Sequence, residues 1–100
     1  MAREVGVIAQ AYLAEIRAMR CVLCTVLGQV QETVTQAHHL RAPAGGSQKS
    51  SDFLAIPLCR CCHKGKLGIH GDRTLLRLAR CDEFALLALT IQARYRQHGA

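Results

Sequence analysis

Residues 53–71 read FLAIPLCRCCHKGKLGIHG, and this stretch decides how the chain is to be understood. A short apolar run, Phe53 to Ile56, is bounded by Asp52 and Pro57, the pattern of a β-strand. Cys59-x-x-Cys62 follows at once, with His63 directly behind it, then Gly65, Gly68 and His70. A C-x-x-C places two thiolates on one tight turn, as two corners of a tetrahedron with Zn–S near ~2.3 Å require. Upstream, Cys21-x-x-Cys24 repeats the spacing, with 34 residues between the pairs. Together Cys21, Cys24, Cys59 and Cys62 form the ligand set of a closed structural zinc site. The competing reading is buried free thiols; Cys61 can also replace Cys59 or Cys62, and Cys81 reads as a small half-buried residue.

Working outward, residues 33–40, TVTQAHHL, are rich in β-branched residues without Gly or Pro and read as a first strand. Residues 41–51 have loop composition, so the two strands form a hairpin with a long basic tip. Residues 59–66 read as a short helix broken by Gly65 and Gly68. Asp72 reads as the N-cap of a helix from Arg73 to about Arg80, and Asp82 as the cap of a last helix with Phe84, Leu87, Ile91 and Tyr95 on one face. At the other end, Val5, Ile8, Tyr12, Ile16 and Met19 mark a helix running to about Arg20.

Composition sets the outer limits. The chain has 100 residues, 50% of them hydrophobic, with a net charge of +6. It is too apolar for a disordered tail and too short for an enzyme with a separate cofactor domain. A core of this size needs a staple, which the cysteines supply. No apolar run approaches a membrane span, and Glu4 and Glu15 interrupt any signal-peptide pattern. The expected compartment is therefore cytoplasmic, where thiols stay reduced and bind metal. The positive charge suggests a polyanionic partner, nucleic acid first. Lys49, Arg60, Lys64 and Lys66 are candidate contacts, and Arg73, Arg77 and Arg80 recur at helical spacing; a solvated face is the plainer reading of that stripe. Tyr12, Phe53, Phe84 and Tyr95 fall on apolar stripes and read as core, so backbone-dominated, weakly sequence-specific DNA binding is expected.

His38, His39, His63 and His70 lie between or just after the two cysteine pairs, whereas His98 reads as a solvated surface residue. Neighbouring side chains on a strand point to opposite faces, so His38 and His39 do not suit the same ion. One suits a metal and the other a water at the edge of the site. On an unbroken helix His63 and His70 would lie ~10 Å apart along the axis. Gly65 and Gly68 remove that difficulty if the chain turns back.

Cys-x-x-Cys, then AHHL, a Gly-rich loop, DFLAIPLC-x-x-CH and a final His resemble the HNH endonuclease family over residues 21–71. The likeness is greatest to small phage and prophage members such as the recombination-enhancement nucleases. The resemblance implies an α+β fold: a zinc-stapled ββα-metal core over residues 21–71, flanked by an N-terminal helix (1–20) and C-terminal helices (72–98), in one domain. It implies a DNA endonuclease or nickase. His38 matches a ligand of the catalytic cation, His39 the general base, and His63 and His70 the two ligands on the α element. Asp52 lies near the family's central Asn, which ties down the loop through backbone hydrogen bonds; Asp can accept such bonds but not donate them. Imidazole ligands favour Zn, Ni or Mn over Mg, though Mg is abundant in cells. A host recombinase is an implied partner alongside DNA, and a bacterial host the implied setting. The alternatives are a non-catalytic zinc module that binds nucleic acid or a recombination protein, and a zinc scaffold for protein contacts alone.

Overall fold

The computed structural model describes residues 2–41 and 50–99. Helix α1 (Ala2–Arg17) leads through a short link to α2 (Val22–Leu27), then to strand β1 (Thr35–His39). A 3-10 turn (Asp52–Leu54) precedes strand β2 (Ala55–Cys59), which runs directly into α3 (Arg60–Lys64). Helices α4 (Thr74–Ala79) and α5 (Glu83–Gly99) complete an α+β architecture with a two-stranded sheet. Among the described residues no helix is long and apolar enough to cross a membrane.

The strands are antiparallel, with Thr35 opposite Cys59, Ala37 opposite Pro57 and His39 opposite Ala55. The second strand thus lies later than the expected residues 53–56. Ser51 Oγ accepts from the Phe53 amide at 3.1 Å and winds residues 52–54 into a helical turn instead. Pro57 does not end the strand, because in a two-stranded sheet every strand is an edge and a missing N–H is tolerated.

The main core lies around the cysteines. Leu23, Leu40, Ile56, Leu58 and Leu86 are fully buried and pack with Cys21, Cys24, Cys59 and Cys62. A second cluster, Tyr12, Ile16 and Met19, seats α1 against Ala37 of β1 and Ala93 of α5. Glu15 accepts from Arg94 at 2.9 Å and pairs with His98, and the Arg94 guanidinium stacks 4.6 Å above the Tyr12 ring. These contacts clamp the two terminal helices together.

Both terminal helices turn differently from the expected stripes. In α1, Ala9 and Leu13 are buried with Tyr12 and Ile16, and Met19 is buried in the link that follows, while Ile8 is 58% exposed; the side chain of Val5 lies outside those described. In α5, Leu86 and Thr90 face the core, leaving Phe84, Ile91 and Tyr95 at least half exposed. Thr90 can be buried because its hydroxyl donates to the Leu86 carbonyl at 2.9 Å. Phe53 is also 41% exposed, with its ring 5.2 Å from that of Tyr12. Of the four aromatics read as core, only Tyr12 is fully packed.

Asp82 caps α5 as expected, its Oδ1 accepting from the Ala85 amide at 2.9 Å. Asp72 does not take the N-cap position of α4, which falls to Arg73; it lies one residue earlier, and its Oδ1 accepts from the Thr74 amide at 2.7 Å in a turn leading into the helix. Helix α4 is shorter than expected, so Arg73 and Arg80 are its flanking residues and only Arg77 lies within it.

Candidate metal centre

The first cysteine pair is shaped by its own backbone. Cys21 precedes α2, and its sulfur accepts from the Cys24 amide at 3.3 Å. Gly28 ends that helix at φ 68°, a left-handed conformation that glycine adopts without Cβ strain. Gln29 follows, and its side-chain amide donates to Cys24 Sγ at 3.4 Å. Gln31 ties the turn to β1: its oxygen accepts from the Cys21 amide at 2.6 Å, and its nitrogen donates to Thr35 Oγ1 at 2.8 Å. The second pair lies where β2 becomes α3, so Cys59 ends the strand and Cys62 belongs to the helix.

The four sulfurs lie within 4.8 Å of one another and are buried. Cys24 Sγ is 3.7 Å from both Cys59 Sγ and Cys62 Sγ. Zn–S bonds of ~2.3 Å make a tetrahedron with edges of about 3.8 Å, so the spacing fits zinc. The electrostatics agree. A hydrogen bond from the Cys62 thiol holds Cys21 down at about 5, whereas Cys62 itself is pushed up by donating it. Burial, with the Cys21 charge beside it, pushes Cys24 up to about 11. One thiolate is accommodated and further ones are resisted, until a cation supplies the opposing charge. The cluster can hold a structural metal ion such as zinc. Cys61 is exposed and outside it, and Cys81 is half-buried.

A second group forms from His38, His63 and His70, whose ligand nitrogens also lie within 4.8 Å of one another. His38 comes from β1 and His63 from α3; both are buried. His70 reaches them because the chain turns back after α3. Its amide donates to the His63 carbonyl at 3.2 Å, and that of Ile69 to the Cys62 carbonyl at 2.9 Å. Glycine is required in that turn. A Cβ on Gly65 would lie 2.5 Å from the Cys61 oxygen, and one on Gly68 2.7 Å from the Gly65 nitrogen. His70 Nε2 then lies 2.7 Å from His63 Nε2. The His38 ring meets both others edge-on, with centroids 4.8 Å and 5.2 Å away.

These imidazoles are held neutral. Burial pushes His63 down to about 4, with His38 and His70 adding to the effect. Burial also lowers His38, against the pull of Glu83, and desolvation lowers His70. Neutral imidazole is the form that binds metal. Outer partners orient two of the rings. Gln36 Oε1 accepts from His63 Nδ1 at 2.9 Å, and Glu83 Oε2 lies 2.5 Å from His38 Nε2.

His39 takes no part in the triad. It follows His38 on β1, so its side chain leaves the other face, and its Nε2 lies 2.6 Å from Asp52 Oδ1. Asp52 thus meets the His39 ring with its carboxylate, while Ser51 provides the cap of the turn.

The triad opens at His70, its exposed member, onto a cleft of about 650 Å³ whose lining includes Arg41, Arg73, Glu83 and Phe84. Arg41 Nη1 donates to the His70 carbonyl at 3.2 Å. Arg60, Lys64, Lys66, Arg73, Arg77 and Arg80 are all exposed. Lys49 lies outside the described residues.

Comparison with protein-family models, with curated proteins and with solved structures finds no match. The functional reading therefore rests on the chain's own residues. Sequence reasoning missed Glu83, Gln36, Gln29 and Gln31. Gln36 had a usable signal, since it lies two residues before His38 on the same strand face. Glu83 had none.

Proposed function

We propose that the chain is a metal-dependent DNA endonuclease or nickase of HNH type. The observation that carries this is the His38/His63/His70 cluster on a sulfur-stapled hairpin whose next strand residue, His39, is paired with a carboxylate. Phosphodiester hydrolysis needs a water made nucleophilic and a leaving oxygen stabilised. A divalent cation held by His38, His63 and His70 supplies charge stabilisation at the phosphate and leaving oxygen.

The protein's own groups do the rest. His39 donates Nε2–H to Asp52, which leaves Nδ1 with the lone pair that takes a proton from water. The Asp52 carboxylate then stabilises the imidazolium and keeps the ring in that tautomer. Arg41 and Arg73, at the cleft beside His70, provide cationic partners for the DNA backbone. The wider surface, from Arg60 through Arg80, supports binding that depends on charge more than on base sequence.

The test is nicking of supercoiled plasmid with Mg, Mn, Ni and Zn in turn. The full chain should nick with at least one ion, and His39→Ala should lower the rate by about 10²–10⁴-fold while leaving metal and DNA binding nearly intact. If no ion yields activity, the nuclease reading fails and a non-catalytic zinc module takes its place.

A further inference from the structure

We propose that Glu83, from the first turn of α5, is a positioning residue of the histidine site, holding His38 so that its Nδ1 faces the bound ion. This rests on reading the three histidines as a metal site. It extends that site to an element outside the hairpin and α3.

The geometry is specific. Glu83 Oε2 lies 2.5 Å from His38 Nε2, while Oε1 accepts from the Arg41 amide at 3.1 Å. The carboxylate therefore grips a ring and the main chain just beyond it, at the end of β1. This is no surface ion pair: the side chain of His38 is 1% exposed and that of Glu83 15%. The turn that carries Glu83 is itself fixed. Asp82 caps it at the Ala85 amide, and Leu86, fully buried, anchors it in the main core. A carboxylate in the first turn of a helix is also favoured by the helix dipole.

The orientation follows from the protons. With Nε2–H given to Glu83, the lone pair of His38 lies on Nδ1. His63 shows the same logic in mirror form, since Gln36 accepts from its Nδ1 and leaves Nε2 towards His70. Each buried ligand thus has an outer acceptor that selects its tautomer. An outer carboxylate also raises the basicity of the imidazole as a ligand, and losing such a partner typically costs about 10–100-fold in metal affinity.

The experiment uses the full chain with zinc loaded at the four cysteines, titrated with Co²⁺ and followed by visible absorption. Co²⁺ at the histidines gives ligand-field bands without the thiolate charge-transfer band that displacement of zinc would produce. The parent should bind one Co²⁺ per chain. Glu83→Ala should weaken that binding about 10–100-fold. Glu83→Gln, which keeps an acceptor oxygen and the packing but drops the charge, should fall between. Zinc content should stay at one per chain in both. If Glu83→Ala does not fold, Glu83→Gln decides alone. Parent-like Co²⁺ affinity and spectrum in Glu83→Gln would then overturn the proposal, as would parent-like affinity in a folded Glu83→Ala. If the parent binds no Co²⁺ beside its zinc, the histidine site and the role of Glu83 fall together. If the variants lose affinity as expected but the parent nicks no DNA, the nuclease reading falls and the assignment of Glu83 stands.

Discussion

Replacing Gly68 with Ala should disable the histidine site without touching a ligand. The added Cβ would lie 2.7 Å from the Gly65 nitrogen and 2.8 Å from both the carbonyl carbon and oxygen of His63. All three are backbone atoms of the return turn, so no flexible side chain can yield. Ordinary contact begins at 3.4 Å. The turn must therefore open by about 0.7 Å, at a cost of about 1–3 kcal/mol typical of an overpacked interior. His70 is two residues further on and rides on that turn through its amide bond to the His63 carbonyl. Metal–ligand distances tolerate only about 0.2 Å, so His70 leaves the coordination sphere or holds it weakly. Co²⁺ titration of the zinc-loaded variant should show affinity reduced at least about 10-fold, with Cys-bound zinc unchanged. Gly71→Ala is the control, because nothing lies within 4 Å of its added Cβ and its backbone is not left-handed. Parent-like Co²⁺ affinity and melting temperature in Gly68→Ala would refute the claim that this turn positions His70.

Three further outcomes are expected. Cys24→Ser should lose zinc by elemental analysis and yield little folded protein by circular dichroism, since the four sulfurs lie inside the main core; a folded, zinc-free variant would contradict this. Before the second metal is added, stability should fall on acidification. The fold holds His63 down at about 4 while the unfolded chain's histidine titrates near ~6.5, so stabilisation is present above ~6.5 and is lost as pH falls towards the folded value, a slope that denaturant melts at several pH values can measure. Charge reversal at Arg73, Arg77 and Arg80, all exposed, should weaken DNA binding and flatten its salt dependence in fluorescence anisotropy; an unchanged affinity would make this face merely solvated.

What the sequence made legible was what short spacing controls. The two C-x-x-C turns, the aspartate cap at Asp82, and the reversal permitted by Gly65 and Gly68 all depend on residues a few positions apart. The start of β2 was misjudged because Ser51 captures the Phe53 amide, and because Pro57 reads as a terminator unless the strand is known to be an edge. The face of α5 was misjudged for a different reason. Its sequence carries two stripes, and the buried one contains a threonine whose polarity is hidden by a bond to its own helix. Helical periodicity alone cannot choose between them, because the choice is made by Leu86 packing on the hairpin core. Glu83 was out of reach altogether, since its partner His38 is 45 residues away and no repeat or spacing connects them.

The two clusters differ in what they leave open. The sulfur cluster is buried at all four corners, its N–H donors come from the protein, and a tetrahedral ion there has no free position. The histidine cluster has three neutral nitrogens, two of them buried and one at a cleft, so an ion there keeps positions for oxygen ligands. The clusters share a backbone, because Cys62 and His63 are consecutive in α3 and the next turn bonds to both of their carbonyls. Metal at the sulfurs would therefore fix the position of His63, and through the return turn that of His70. On the proposed role, Glu83 would hold His38 from a third element, α5, whose Leu86 packs in the same core as the cysteines. On this arrangement, stripping the structural metal should abolish binding at the histidines, whereas emptying the histidines should leave the sulfur site filled. Sequential chelation with Co²⁺ at one site and Zn²⁺ at the other reads both occupancies directly; the coupling itself is reciprocal, so the expected asymmetry lies in occupancy, and loss of the sulfur-bound metal when the histidines are emptied would show that the order of support is wrong.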